Sequence, residues 1–134
     1  MMDGRSPVLV AGIGMTPVGE HWDVSLRNLA LDAMTAAMQD AGGVRPEALY
    51  VANMLAPALS GQSHLGALLA DFAGLRGIEA TTVEAAGASG GVAARQAYLA
   101  VASGAVEVAL VLGVEKVTDK DSGQVEAALA TASD

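Results

Sequence analysis

The chain has 134 residues, a length typical of one domain, and 52% of them are hydrophobic, with aliphatic residues far outnumbering the one Trp, two Tyr and one Phe. Fifteen acidic against seven basic residues give a net charge of −8, which disfavours nucleic acid or an anionic membrane surface as a partner. The sequence contains no cysteine, which excludes disulfides, thiolate metal sites and a cysteine nucleophile.

No targeting or membrane-spanning pattern is recognisable in the sequence. Residues 1–7, MMDGRSP, carry one Arg and lack the apolar core of a signal peptide. The most apolar stretch, residues 106–114, is interrupted by Glu107 and is much shorter than the roughly 20 residues of a membrane helix. We therefore expect a cytoplasmic protein.

An apolar segment and a strongly patterned helix come first in the chain. Residues 8–14, VLVAGIG, form a short apolar run closed by glycines, which predicts a buried first strand. Asp23 or Ser25 can cap the next element, in which apolar residues recur at helical spacing. Gly42 and Gly43 then end the helical pattern.

The middle of the chain alternates between strand and helix. Residues 49–54 predict a second strand, residues 56–61 a loop, and residues 63–75 a second helix with an apolar side. Thr-Thr-Val at residues 81–83 predicts a third strand, which runs directly into a glycine-rich turn at residues 87–91.

After the turn, the Ala-rich residues 92–103 predict a helix ended by Gly104, and the apolar residues 106–113 predict a fourth strand. Because helices of ten or more residues separate the strands, the connections are crossovers. The predicted fold class is α/β, a mostly parallel sheet of about four strands with helices on both faces. Residues 116–134 carry no terminating signal, so we expect the domain to be incomplete.

The glycine-rich turn is the most informative part of the sequence for function. It places backbone N–H groups at the start of a helix, where the helix dipole helps them to stabilise a thioester oxygen or another anion. Gly90 and Gly91 have no side chain that could block a ligand. Such a turn more often reflects ordinary packing of a strand against a helix, and both interpretations stay open at this point.

Four stretches of the sequence resemble the thiolase superfamily, and especially its sterol-carrier-protein-type subgroup. The turn region, VEAAGASGG at residues 83–91, resembles the nucleophile segment V-E-A-A-C-A-S-G-G. Residues 11–20, 53–75 and 108–119 resemble the opening strand and loop, the following helical region and a strand ending in G-x-E-x-x-[ST]. The resemblance implies that residues 1–134 are a thiolase-like N-terminal domain, with a coenzyme A thioester as substrate and no covalently bound cofactor.

The departure from the family pattern falls at its catalytic position. A thiolase carries there a cysteine that takes up the acyl group as a covalent thioester, whereas this chain has Gly87, which cannot be acylated. The resemblance implies substrate binding by Ala88, Ser89, Gly90 and Gly91. The family's general-base His and second Cys belong to its C-terminal half and are absent from these residues, and neither His21 nor His64 stands in a matching motif.

Other polar residues have ordinary structural roles available to them. Ser89 as a nucleophile would need a neighbouring base, and capping the following helix is its usual role. Glu84 and Glu115 could form an acid–base pair, although strand-end carboxylates more often accept hydrogen bonds from backbone amides. His64 lies near a helix start without acidic or His neighbours, which does not indicate a metal site.

Three functional hypotheses follow from the resemblance. The first is an enzyme of acyl-CoA carbon–carbon chemistry that needs no acyl-cysteine, such as an aldolase or lyase subunit acting on a β-hydroxyacyl-CoA with a small oligonucleotide-fold partner. The second is a noncatalytic subunit similar to a chain-length factor. The third is a thiolase fragment whose cysteine has been lost or engineered away. An open sheet edge should be covered by the missing C-terminal half or by another copy of the chain. The resemblance implies a homodimer in which the strand at residues 80–86 lies near the dimer axis.

Overall fold

The computed structural model describes residues 7–133. The prediction that residues 1–7 lack a signal-peptide pattern therefore concerns a segment that lies, except for Pro7, outside the described residues. Three strands and five helices alternate along this part of the chain. In chain order they are α1 (Leu26–Asp40), β1 (Ala48–Ala52), α2 (Ala56–Leu59), α3 (Leu65–Phe72), β2 (Glu79–Val83), α4 (Ser89–Ala102), β3 (Ala109–Gly113) and α5 (Ser122–Ala130).

The three described strands form one parallel sheet with the order β2-β1-β3. Tyr50, in the middle of β1, lies opposite Thr81 of β2 and Val111 of β3. Every residue of β1 is buried, as expected of a central strand whose two faces are both covered. The predicted α/β class with a parallel sheet is confirmed.

Helices cover both faces of the sheet, as the sequence predicts. On one face, α1 and α3 pack larger aliphatic side chains, including Met34 and Leu69, against Leu49 and Val51 of β1. On the opposite face, the small residues Ala93 and Ala97 of α4 pack against Ala48, Tyr50 and Ala52 of β1. The small side chains let α4 lie close to the sheet, which fixes the position of the turn that precedes it.

Helix α1 begins and ends where the sequence signals predict. The Ser25 side chain, and not that of Asp23, accepts the N–H of Asn28 at 3.1 Å and caps the helix. Gly42 and Gly43 have φ angles of +79° and +80°, a conformation that favours glycine and ends the helix.

The predicted first strand at residues 8–14 is wrong, because this segment forms no sheet ladder in the structure. It lies instead along the C-terminal half of α1, where Gly12 and Gly14 allow close approach. A Cβ on Gly12 would lie 2.5 Å from the backbone nitrogen of Ala41, so a larger residue would push the segment away. The apolar pattern was typical of a strand, but no described strand lies beside it as a partner.

Several boundaries also differ from the prediction. Residues 56–59, predicted as loop, form the short helix α2. Helix α4 begins at Ser89 rather than at residue 92, so Gly90 and Gly91 belong to its first turn. The polar and Ala-rich tail forms α5, whose Asp121 side chain accepts the N–H of Gln124 at 2.9 Å. Within residues 7–133, no helix has the length and apolar character needed to cross a membrane.

The close packing of α3 on β2 gives a test of the fold. A Cβ on Gly66 would lie 2.6 Å from the backbone carbon of Thr81, whereas a Cβ on Gly91 would meet nothing within 4 Å. We expect Gly66→Ala to lower the free energy of unfolding by about 1–3 kcal/mol through overpacking. Gly91→Ala should raise it by about 0.5 kcal/mol, because alanine favours the helix. Urea unfolding of both variants measures the difference, and equal effects would contradict the packing of α3 against β2.

Candidate functional site

The carboxyl ends of the three strands meet at one edge of the sheet, as parallel pairing requires. The segment after β2, residues 84–88, contains Gly87, the first glycine of the predicted glycine-rich turn, and leads into α4. We call residues 84–88 the turn from here on. Asn53 follows β1 and Val114 follows β3. In open α/β sheets this edge is where ligands usually bind, so the turn lies at a favourable position.

Hydrogen bonds hold the turn in one conformation. The Glu84 carboxylate accepts the N–H of Ala86 at 2.6 Å. The Ser89 hydroxyl accepts the N–H of Ala85 at 2.8 Å and donates to the Ala86 carbonyl at 2.7 Å. The N–H of Ala88 donates to the Ala85 carbonyl at 2.9 Å, which closes the turn from the main chain. Two side chains at the ends of the turn therefore fix the backbone between them.

The unusual backbone conformation of the turn falls on Ala86 and not on the neighbouring glycine. Ala86 has a φ angle of +47°, which costs an L-residue with a Cβ about 1 kcal/mol. Gly87 is outside the positive-φ region, and a Cβ built on it would meet nothing within 4 Å. The backbone therefore does not require glycine at residue 87, and a side chain there would project into open space.

The five predicted site residues are neighbours in the structure but differ in exposure. Gly87, Ala88, Gly90 and Gly91 are exposed, and they surround the start of α4. Ser89 is buried, with 6% of its surface exposed. The N–H groups of Ala88 and Ser89 already donate to the Ala85 and Ala86 carbonyls. The first N–H groups of a helix have no partner within the helix, so the donors that this start can offer to an anion or a carbonyl oxygen are those of Gly90 and Gly91.

Ser89 does not cap α4, which corrects the role expected from the sequence. The residue at the cap position is Ala88, which makes no side-chain hydrogen bond there. The Ser89 hydroxyl is instead occupied by the main chain of the turn, donating to a carbonyl and accepting from an N–H. A hydroxyl that donates to a carbonyl has no base to activate it, so this arrangement does not suit a nucleophile.

A second cluster joins the carboxyl ends of β1 and β3. The Asn53 side-chain amide donates to the Val114 carbonyl at 2.7 Å and to the Glu115 carboxylate at 2.9 Å. Glu115 in turn accepts the backbone N–H groups of Met54 at 2.5 Å and Leu55 at 3.2 Å. We call Asn53 and Glu115 the strand-end clamp, because together they tie the exit of β1 to the exit of β3.

The clamp also starts helix α2. Asn53 is 3% exposed, and its side-chain oxygen accepts the N–H of Ala56 at 3.0 Å. The predicted structural role of strand-end carboxylates is confirmed for both candidates, since Glu84 and Glu115 each accept backbone N–H groups. Within the described residues, each carboxylate is therefore hydrogen-bonded to main-chain groups rather than to the other carboxylate.

A cavity of about 470 Å³ lies beside the turn. Its walls come from the segment after β1, from the turn and from the end of α5, namely Met54, Glu84, Ala85, Ala86, Thr131 and Ala132. Because Met54 belongs to the segment held by the clamp, the clamp positions one wall of this cavity. Within the described residues, no group of three His, Asp or Glu side chains could hold a metal ion.

Sequence reasoning identified the turn but missed the residues that surround it. Asn53 could have been identified from the sequence, since a polar residue directly after an apolar strand reaches the carboxyl edge of the sheet. Met54, Thr131 and Ala132 carry no chemical signature, and only the folded chain brings them to the cavity. His64 lies at the start of α3 with a φ angle of +61° and makes no capping hydrogen bond.

Residues 8–133 match the family model described as thiolase, N-terminal domain. An acetyl-CoA acetyltransferase from Methanothermobacter thermautotrophicus is 46% identical over 129 residues, which cover 95% of this chain and 33% of the relative. An acetyl-CoA acetyltransferase from Methanocaldococcus jannaschii is 49% identical over 114 residues, which cover 84% of this chain and 29% of the relative. The chain thus spans about a third of the length of the curated relatives it matches.

The strand-end clamp predicts a strong dependence on Asn53. Asn53→Ala leaves the Val114 carbonyl and the N–H of Ala56 without partners in a buried setting, which should cost about 2–4 kcal/mol of unfolding free energy. The matched control is Asn28→Ala, since Asn28 is exposed within a helix and its side chain is not part of this cluster. Urea unfolding should show a change below about 0.5 kcal/mol for the control. Equal effects of the two substitutions would contradict the clamp.

Proposed function

Because the chain belongs to the thiolase family, we propose that residues 84–91 form the acyl-CoA end of a thiolase-type site in which Gly87 occupies the nucleophile position. Three observations support this assignment. The turn ends a parallel strand at the carboxyl edge of the sheet, it leads directly into the start of α4, and residue 87 faces open space. The last observation carries most weight, since a Cβ at residue 87 would meet no neighbour within 4 Å.

Acyl transfer at a thiolase-type site needs a nucleophilic side chain, which residue 87 of this chain lacks. In acyl transfer, a cysteine thiolate at this position attacks the carbonyl carbon of an acyl-CoA thioester. The carbon–sulfur bond to coenzyme A breaks, the coenzyme A thiolate leaves and takes up a proton, and the acyl group stays on the enzyme. Gly87 has no atom that can make this bond, so we propose that the chain is inactive as a thiolase in this form.

The remaining parts of the turn suit binding of a thioester carbonyl without acylation. Ala88, Gly90 and Gly91 surround the helix start, whose N–H groups and dipole favour a developing negative charge on oxygen. Ser89 holds the backbone that presents these groups. We propose these four residues as the substrate-binding part of the site, with a coenzyme A thioester as substrate and the neighbouring 470 Å³ cavity beside it.

An intact turn without its nucleophile also supports a second candidate function. A cysteine-independent aldolase or lyase subunit acting on a β-hydroxyacyl-CoA needs oxyanion stabilisation but forms no acyl-enzyme. Such a subunit would require an ordered turn. The hydrogen bonds of Glu84 and Ser89 supply this order even though residue 87 cannot react. A noncatalytic subunit similar to a chain-length factor needs no ordered turn, and we rank it lower.

The partners follow from the same proposal. Residues 1–134 would act as an N-terminal thiolase-like domain whose general base comes from the rest of a full-length protein, since the relatives are about three times longer. Strand β2 forms one edge of the described sheet, and we propose this edge for the homodimer mate. A small oligonucleotide-fold protein would be the partner of the aldolase alternative.

Restoring the cysteine tests the assignment of residue 87. Gly87→Cys, mixed with the polypeptide corresponding to the remaining two thirds of the Methanothermobacter relative, should gain an acetyl group from acetyl-CoA on the peptide that contains residue 87. The unsubstituted chain under the same conditions should gain none and should show no thiolysis of acetoacetyl-CoA. Intact-protein and peptide mass spectrometry measure the gain.

The matched control places a thiol at the other end of the same helix. Ser103→Cys is exposed at the C-terminal end of α4, where the helix dipole does not favour a thiolate. Acetylation of Ser103→Cys to the same extent would show unselective thiol chemistry and would contradict the assignment. Thiolysis by the unsubstituted chain, with contaminating thiolase excluded, would contradict the proposed inactivity.

A further inference from the structure

Helix α5 ends beside the turn and forms one side of the 470 Å³ cavity, yet few of its side chains hold it in place. Of its nine residues only Ala128 is buried, with 5% of its surface exposed, and Val125 is half-buried. These two residues pack against Leu55 and Leu59. Leu129, a large apolar residue of the same helix, is 49% exposed. A helix held by so few buried apolar contacts opens at a lower free energy than the rest of the fold.

Helix α4 shows what firmer attachment looks like in the same chain. Its buried residues, Ser89, Ala93 and Ala97, are spread from its first residue to its third turn. In α5 the single buried residue lies near the C-terminal end, and the first turn is held by the capping bond from the N–H of Gln124 to the Asp121 carboxylate. The two helices should therefore differ strongly in local stability.

The linker from β3 to α5 contains a buried ion pair. The Lys116 side chain is only 5% exposed, and its ammonium group donates to the carboxylate of Asp119, whose side chain is 49% exposed. Among the described residues, this carboxylate is the one hydrogen-bond partner of the ammonium group. The N–H of Lys120 donates to the Val117 carbonyl at 3.2 Å, so this bond and the ion pair close the same turn of the linker.

The closed position of the linker depends on the carboxylate of Asp119. Burial removes most of the hydration of an ammonium group, and loss of its partner leaves an uncompensated charge. Outward movement of residues 116–121 would return water to Lys116 and relieve that cost. Removal of the Asp119 charge should therefore favour a linker that has moved away, together with the helix that follows it.

We propose that residues 116–133 act as a lid on the cavity beside the turn, with the ion pair of Lys116 and Asp119 as its latch. In the closed state, which is the one in the structure, the end of α5 lines the cavity together with the turn. In the open state α5 leaves α2, and the wall formed by the turn becomes more accessible. The role of the lid in admitting a coenzyme A thioester rests on the proposed function, whereas its opening does not.

The absence of cysteine allows opening to be measured by labelling with a maleimide. Ala128→Cys places the chain's single thiol under α5, and Ala97→Cys places one between α4 and the sheet. In the structure Ala97 is the more exposed of the two, at 9% against 5%. We nevertheless expect Ala128→Cys to be labelled about tenfold or more faster, because α5 opens locally and α4 does not. Labelling of Ala128→Cys no faster than that of Ala97→Cys overturns the proposal.

Asp119→Asn tests the latch. It leaves the Lys116 ammonium group without its counter-charge, so it should speed the labelling of Ala128→Cys about tenfold and change that of Ala97→Cys less than about twofold. Addition of Lys116→Met removes the buried charge and should return the labelling rate to that of Ala128→Cys alone. If Asp119→Asn speeds both thiols equally, it acts on global unfolding, and the proposed latch is wrong.

The matched control for the latch is Asp71→Asn. Asp71 also pairs with a basic residue, Arg76, but both side chains are exposed, so the substitution leaves no buried charge behind. Both labelling rates should stay unchanged. The same acceleration by Asp71→Asn as by Asp119→Asn contradicts the latch.

Ala85→Cys tests whether α5 covers the cavity. Ala85 is half-buried and lines the cavity from the turn. Opening of the lid should let the maleimide reach this thiol, so Asp119→Asn should speed its labelling about fivefold or more. If Asp119→Asn speeds the labelling of Ala128→Cys but not that of Ala85→Cys, α5 moves without covering the cavity, and its role as a lid is overturned.

Hydrogen exchange measures the same opening in the unsubstituted chain, so the test survives a cysteine variant that fails to fold. The amides of α5 around Ala128 should exchange about tenfold or more faster than those of α4 around Ala97. Equal exchange rates in the two helices overturn the proposal. None of these measurements uses Gly87 or an acyl-CoA, so the lid can fail while the proposed function holds.

Discussion

The strand-end clamp holds together the carboxyl edge of the sheet, at which the candidate site lies. A parallel sheet brings its carboxyl ends to one edge, but the chain leaves each strand there in a different direction, so the exits need their own restraint. Asn53 and Glu115 supply it with five hydrogen bonds to Val114, Met54, Leu55 and each other, two of which go from the N–H of Leu55 to the two oxygens of one carboxylate. The clamp therefore fixes one wall of the cavity beside the turn.

The turn itself is ordered by a different set of contacts, which do not involve residue 87. Glu84 and Ser89 bind the main chain on either side of Ala86 and hold it at a φ angle of +47°. The conformational cost falls on Ala86, and the neighbouring position is unstrained and open. A change of side chain at residue 87 would thus leave the turn intact.

The sequence predicts those parts of the fold that are determined by local signals. Helix α1 follows from Ser25, its apolar spacing and Gly42, and β1 follows from a short apolar run. The strand at residues 8–14 was predicted wrongly because periodicity identifies a segment suited to a sheet but says nothing about whether a partner strand lies beside it. Ser89 was assigned to capping because sequence position alone does not show that its hydroxyl turns back to Ala85 and Ala86. The clamp joins residues 62 positions apart, which no local pattern reveals.

The central claim is that a side chain at residue 87 lies at the start of α4, where a nucleophile would be placed. The pKa of a thiol introduced at residue 87 tests this claim most directly. In Gly87→Cys the thiolate absorbance, followed against pH in the folded chain, should give a pKa below the ~8.5 of a free cysteine, because helix-start N–H groups and the dipole stabilise the anion. Ser103→Cys, at the far end of the same helix, should not show this lowering. A Gly87→Cys thiol that titrates at or above the value for Ser103→Cys would contradict the account.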